Sequence, residues 1–214
     1  MARVSDRLAR CVPASAFGIS YESIKQLSLT AELIADILEA LDSSETVDQR
    51  FALAFAEQLL EVGTLDRAQE ARFLQRLRES CTKGDGTVRA YALRLLVRFH
   101  SRVADFRPLI LEALKSENSG VREEALRGFE FCCHPEEFEP LEEFEHDRCF
   151  VEIAMGGPLV FELRDRALET IERVLGVSFS RTRESEDVLN GQRASFYSWE
   201  PFHAWKINRK RRWF

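Results

Sequence analysis

The chain has 214 residues, of which 45% are hydrophobic and 31% charged, and its formal net charge is −6. This ordinary globular balance excludes wholesale disorder, and the length suits one compact domain or one short repeat array. No window approaches the roughly 18 uninterrupted apolar residues of a membrane span. The start, MARVSDRLARCVPASAF, lacks a long apolar stretch and carries Asp6, so it does not read as a secretory signal and a cytoplasmic location is expected. The five cysteines, Cys11, Cys81, Cys132, Cys133 and Cys149, are odd in number and irregularly spaced, which argues against a disulfide framework. Charge is unevenly placed. Residues 206–212 carry five positive charges and no negative one, and without them the rest of the chain stands at −11. An acidic body of this kind disfavours broad binding to a nucleic-acid backbone.

Residues 1–29 match nothing later in the chain, and Phe17, Ile19, Tyr21, Ile24 and Leu27 are expected to pack as an N-terminal cap. From residue 30 onward, amphipathic helices are predicted in pairs: 30–42 with 47–61, 66–80 with 87–100, 106–116 with 120–132, and 136–146 with 163–175. The apolar faces of the first members are Leu33, Ile34, Ile37, Leu38 and Leu41, then Ala71, Phe73, Leu74 and Leu77, and, in the last pair, Phe138, Leu141 and Phe144. Turn residues at Lys83–Gly86 and Ser116–Gly120 separate the helices.

The second members share a pattern. Val88, Arg89, Ala92 and Leu93 recur as Val121, Arg122, Ala125 and Leu126, and again as Leu163, Arg164, Ala167 and Leu168. The segment from Val47 carries Ala52 and Leu53, with Gln49 in place of the arginine. The alanines lie 40, 33 and 42 residues apart. Apolar residues at this spacing share a helical face. The small Ala lets a neighbouring helix approach closely, while the Arg or Gln points away to bond loop carbonyls or a neighbouring Asp. A helix with such a face stacks on a copy of itself. In these residues, over positions 30–175, the chain resembles the HEAT-repeat family. The resemblance implies an all-α fold, a right-handed α-α superhelix of about four helix pairs. It also implies, as is usual for the family, a protein partner along a concave face, and it does not by itself imply an activity.

Two stretches depart from the repeats. Residues 148–162 set Gly156-Gly157 between two apolar runs, which reads as an irregular loop tucked against the array or as a small hairpin. After Gly176, residues 177–188 and 194–199 look extended around a turn signal at Asn190-Gly191. Trp199, Phe202, Trp205 and Ile207 then form the apolar face of a short terminal helix with Pro201 in its first turn. Residues 176–214 are read as a C-terminal cap with a basic tail, and alternatively as an aromatic and basic patch that grips a partner.

No phosphate loop, nucleophile elbow or metalloprotease motif is present, no catalytic residue is named, and nothing calls for a cofactor. Cys132, Cys133, His134, His146 and Cys149 hold zinc-type side chains without zinc-type spacing, and adjacent Cys132 and Cys133 project to different sides of a helix. The seven acids in residues 136–147 read as a solvated face or as a surface for a basic partner. Candidate contact residues on the second helices are Arg94, Arg98, Glu124, Arg127, Glu130, Arg166 and Glu169, joined by Trp199 and Trp205. The function expected is a non-catalytic protein-binding scaffold or adaptor. One variant is a bacterial immunity-type protein that occludes a toxin. The competing class is an enzyme on the same scaffold, such as a HEAT-like DNA glycosylase. The basic tail and two tryptophans favour that class and the acidic body opposes it.

Overall fold

The computed structural model describes residues 14–15, 18–19, 30–62, 65–98, 105–132, 134, 136–153, 160–180, 182–188 and 192–211. The described chain is mostly helical, and it forms two compact units, Met1–Phe99 and His100–Phe214.

Unit 1 opens with a short antiparallel strand pair, β1 (Ala14–Ser15) and β2 (Gly18–Ile19). Of the residues expected to cap this end, Phe17, Tyr21, Ile24 and Leu27 lie outside the described residues. Four helices follow: α1 (Ala31–Leu41), α2 (Thr46–Val62), α3 (Arg67–Lys83) and α4 (Gly86–Arg98). Side chains set their starts by accepting backbone N–H groups that have no partner within the helix. Thr30 Oγ accepts from Leu33 N at 3.2 Å, and Asp85 Oδ1 from Val88 N at 2.8 Å. Asp66 and Gln69 close a reciprocal capping box. Gly84 follows the end of α3, and the position suits glycine because a Cβ there would stand 2.5 Å from Val88 Cγ1 and 2.9 Å from the Ser80 carbonyl oxygen. Helix α1 packs on α2 and α3, α2 on α4, and α3 on α4, so two helical hairpins lie in register, first helix on first and second on second. Asp42, at the end of α1, ties the first helices together by pairing with Arg72 at 2.8 Å and with Arg76.

Unit 2 carries α5 (Arg107–Ala113), α6 (Ser119–Cys132), α7 (Glu139–Glu142) running into a 3-10 turn (Glu143–His146), and α8 (Leu163–Leu175). Helix α6 packs on α5 and α8, and the α7 turn packs on α8. The expected helix over 106–116 ends early, and the expected helix over 136–146 tightens into the 3-10 turn after one α-turn. Phe138, Leu141 and Phe144 are nonetheless buried as expected. Between that turn and α8 the chain forms a hairpin, β3 (Phe150–Ile153) against β4 (Val160–Glu162), rather than an irregular loop. Strand β4 feeds straight into α8, and backbone carbonyls replace a capping side chain: Leu163 N bonds Cys149 O at 2.9 Å and Arg164 N bonds Asp147 O at 3.2 Å. Gly176, at φ 64°, ends α8 in the left-handed region, and Val177 N reaches back to Glu172 O at 3.0 Å. A second hairpin, β5 (Arg183–Val188) with β6 (Gln192–Tyr197), and a terminal helix, α9 (Glu200–Arg211), complete the unit.

The four aligned segments are α2, α4, α6 and α8. Ala52, Ala92, Ala125 and Ala167 are all fully buried, as are the leucines that follow them. The polar residue three places before each alanine donates to a backbone carbonyl outside its own helix. Gln49 Nε2 donates to Ser43 O at 2.9 Å, Arg89 Nε to Cys81 O at 3.0 Å, Arg122 Nη1 to Ser116 O at 2.7 Å, and Arg164 Nη2 to Tyr197 O at 3.3 Å. Three sequence expectations need correction. In α2 the buried slot filled elsewhere by Val88, Val121 and Leu163 belongs to Asp48, which accepts from Ser43 Oγ at 2.9 Å, while Val47 is 52% exposed. Ala71 is exposed, outside the buried stripe of Phe73, Leu74 and Leu77. Ile207 is 54% exposed, because the buried side of α9 passes through Phe202 and continues no farther than Trp205.

Candidate interaction surface

Burial of the Ala-Leu face leaves one outward stripe on each second helix. Two residues after the alanine, that stripe carries Arg94 on α4, Arg127 on α6 and Glu169 on α8; the arginines are exposed and Glu169 is half-buried. Five and six residues after the alanine lies an ion pair that the sequence reading missed. Glu57 of α2 takes Arg98 of α4, and Glu130 of α6 takes Arg173 of α8 at 2.6 Å. Both are the same rung, a glutamate on one second helix bound by an arginine on the next. Glu172 of α8 occupies the same place again, and its carboxylate accepts the backbone N–H of Phe179 at 2.7 Å instead. The remaining helix, α4, has Val97 there, and α6 has Phe131 where α4 and α8 have arginine. Phe131 is 51% exposed.

The sequence-derived contact residues therefore fall in three places. In unit 2, α6 and α8 bring together Arg127, Glu130, Arg166 and Glu169. Arg127 pairs with Glu123 at 2.8 Å and Arg166 lies 3.6 Å from Glu169. Glu124 belongs to the same helix but is buried, with Arg127 Nε 3.9 Å away. In unit 1, Arg94 and Arg98 lie on α4. Trp199 and Trp205 sit in an aromatic cluster. Trp199, only 2% exposed, meets Phe202 edge-on at 5.7 Å, and Trp205 meets Phe138, Phe179 and Phe202 at 6.0, 6.1 and 6.2 Å.

The electrostatics of this surface follow from burial. Desolvation pushes the Glu130 carboxyl above its ordinary range, against the pull of Arg173. Four of the seven acids in residues 136–147 are partnered inside unit 2. Arg107 pairs with Glu137 at 2.8 Å, Arg122 with Asp147 at 2.8 Å, His203 with Glu145 at 3.0 Å, and Lys206 with Glu142. The last two tie α9 to the α7 turn, and Arg209 covers the Trp205 ring at 5.3 Å. Two buried acids on α8 complete the attachment of the C-terminal segment. Asp165 Oδ1 accepts from Tyr197 N at 2.8 Å, seven residues before the Glu172 contact to Phe179.

Among the described residues no group of three or more His, Cys, Asp or Glu is gathered to hold a metal ion. Burial pushes the Cys81 thiol up to about 12, so it stays protonated and inert. Cys132 is half-buried, Cys149 and His146 are exposed, and Cys133 lies outside the described residues. Among the described residues no helix is long and apolar enough to cross a membrane. No protein-family model, no curated protein and no solved structure matches this chain.

Proposed function

We propose that the chain is a HEAT-like, non-catalytic scaffold that binds a protein partner through the outward faces of the second helices α6 and α8 of unit 2. The observation that carries the reading is the exposed Phe131 among the charges of α6 and α8. A ring 51% exposed, on a helix that also carries the Arg127–Glu123 pair and the glutamate of the Glu130–Arg173 rung, has the composition of an interface anchor among polar neighbours. The recurring glutamate–arginine rung supports the repeat reading, because it needs the same two helices at the same offset twice. The nucleic-acid reading draws less support. Trp199 and Trp205, which would have to stack on bases, are packed in the aromatic cluster, and Lys206 of the basic tail is bound to Glu142. An immunity-type role remains a special case of the same binding mode.

The test replaces Phe131 with a photoreactive benzoyl-phenylalanine and irradiates the chain in its native lysate. A discrete adduct is expected at position 131, weakened by Arg127→Glu, and absent when the same probe sits at the equally exposed Ile207. Equal labelling from both positions, or release of bases from alkylated DNA by the purified chain, would overturn the reading.

A further inference from the structure

Unit 2 holds an open cleft of about 370 Å³ between the end of α5 and the α7 turn, lined by Leu111, Glu112, Leu114, Lys115, Pro140 and Glu143. Its origin is helix length. In unit 1 the first helices α1 and α3 span 11 and 17 residues and pack on each other, bolted by Asp42 to Arg72 and Arg76. In unit 2 the corresponding pieces are 7 and 4 residues long. Arg107 and Glu137 join them by an ion pair, and Leu111 and Pro140 are left half-covered while Leu114 is buried. The volume lies within the usual range of about 300–1,000 Å³ for sites that take a side chain or small ligand.

The rim decides what fits. Of the acids in 136–147, Glu137, Glu142, Glu145 and Asp147 already face Arg107, Lys206, His203 and Arg122. Glu139 and Glu143 are exposed beside Pro140, and Glu112 is exposed on the opposite wall, against a single Lys115. Among the described residues none of these three acids has an ion-pair partner. The chain's own basic helix is engaged elsewhere, through Lys206 on Glu142 and Arg209 over the Trp205 ring. We propose that this cleft receives a short segment of a partner protein that presents apolar side chains flanked by arginine or lysine. The apolar floor takes the side chains, and the acidic rim selects the flanking charge and rejects acidic competitors. This site is independent of the α6–α8 face, so each can fail alone.

The experiment titrates the full chain into a fluorescein-labelled decapeptide carrying two leucines flanked by arginines, and follows anisotropy. Two analogues are run beside it, one with glutamates for arginines and one with serines for leucines. Both analogues are expected to bind about tenfold more weakly or worse, and binding of the parent peptide to fall as salt is raised. Glu143→Lys and Leu111→Ser, each checked for retained helical circular dichroism, are expected to cost a similar factor, while Glu45→Lys in unit 1 leaves binding unchanged. The proposal fails if no peptide binds, if the glutamate analogue binds as tightly, or if neither cleft variant matters. It also fails if the chain forms a dimer that Glu143→Lys abolishes, which would make a second copy the occupant.

Discussion

The two units solve the same packing problem with different means. Unit 1 is two full-length helical hairpins in register, and its first helices pack on each other and on their second helices, with Ile37 and Leu38 of α1 and Phe73 and Leu77 of α3 buried. Unit 2 has the same kind of second helices, but its first helices are cut to one or two turns. What α5 and α7 leave uncovered is covered from elsewhere in the chain. Phe138 packs against Phe202 and Trp205 of α9, Phe202 also meets Phe179 and Trp199, and the two hairpins border α8. The difference teaches that the second helices carry the pattern, while the elements around them are free to shorten wherever another apolar surface takes their place. It also explains why the open cleft occurs in unit 2.

The comparison is broken most sharply by removing the ring on which unit 2 depends. Phe202 is fully buried at the centre of five aromatic neighbours. Phe202→Ala is expected to cost about 3–5 kcal/mol, the usual penalty for emptying a buried aromatic site. The two units have separate reporters. All three tryptophans, Trp199, Trp205 and Trp213, belong to unit 2, and Cys81 is a buried thiol of unit 1. Denaturant titration followed by tryptophan emission should show the full loss. In a chain whose other cysteines are serines, the protection of Cys81 from a thiol reagent should change little. Equal loss in both signals would show that the units share one stability.

The repeated rung sharpens the comparison at a smaller scale. Glu57 is buried beneath Arg98, so Arg98→Met would leave a carboxylate in an apolar setting without its cation. Complete burial would put that cost at 3–5 kcal/mol; with Arg98 itself part-exposed, about 1–3 kcal/mol is expected. Arg173 is 59% exposed and Glu130 is better hydrated than Glu57, so Arg173→Met should cost below about 1 kcal/mol. The same measurement on both variants, read through Cys81 and through tryptophan, ranks the rungs. A larger loss for Arg173→Met would mean that burial is not what sets their strength.

Much of the helical layout was legible because it depends on period alone. The stripe through Leu33, Ile34, Ile37, Leu38 and Leu41 and the four alanines fell where the spacing placed them. What stayed hidden depended on partners distant in sequence. Nothing within α8 announces that Asp165 and Glu172 will receive the N–H groups of Tyr197 and Phe179. The acid run at 136–147 reads as a solvated face until α9 brings Lys206 and His203 against it. Trp199 was visible as an apolar residue, but its burial depends on where the chain turns after β6. The rung could have been found, since Glu57, Glu130 and Glu172 each lie five places past the motif alanine and Arg98 and Arg173 six places past it. The alignment stopped at the alanine-leucine pair. The register of α2 slipped because Asp48 is a polar residue in an apolar slot, and a hydrophobic template prefers Val47.

The smallest expected effect is a difference in sign with pH. In unit 1 the Asp85 carboxylate accepts the Val88 N–H and lies near Arg50, which holds its folded pKa below the ordinary value of 3.8. A group lowered in this way lends stability above its unfolded pKa, and that stability is lost as pH falls through the folded value. Glu130 in unit 2 behaves oppositely. Burial raises its folded pKa above 4.5, so the folded state binds more protons than the unfolded state in the window just above 4.5, and stability declines as pH rises through it. Lowering the pH from 7 toward 4.5 should therefore raise the tryptophan-reported midpoint of unit 2, and Glu130→Gln should remove that rise. Further acidification below 3.8 should destabilise unit 1, and Asp85→Asn, which keeps an acceptor for the Val88 N–H but cannot titrate, should blunt the fall. A unit 2 midpoint that is flat from pH 7 to 4.5 in the parent chain would mean that Arg173 fully offsets the desolvation of Glu130, and the two rungs would then differ in exposure alone.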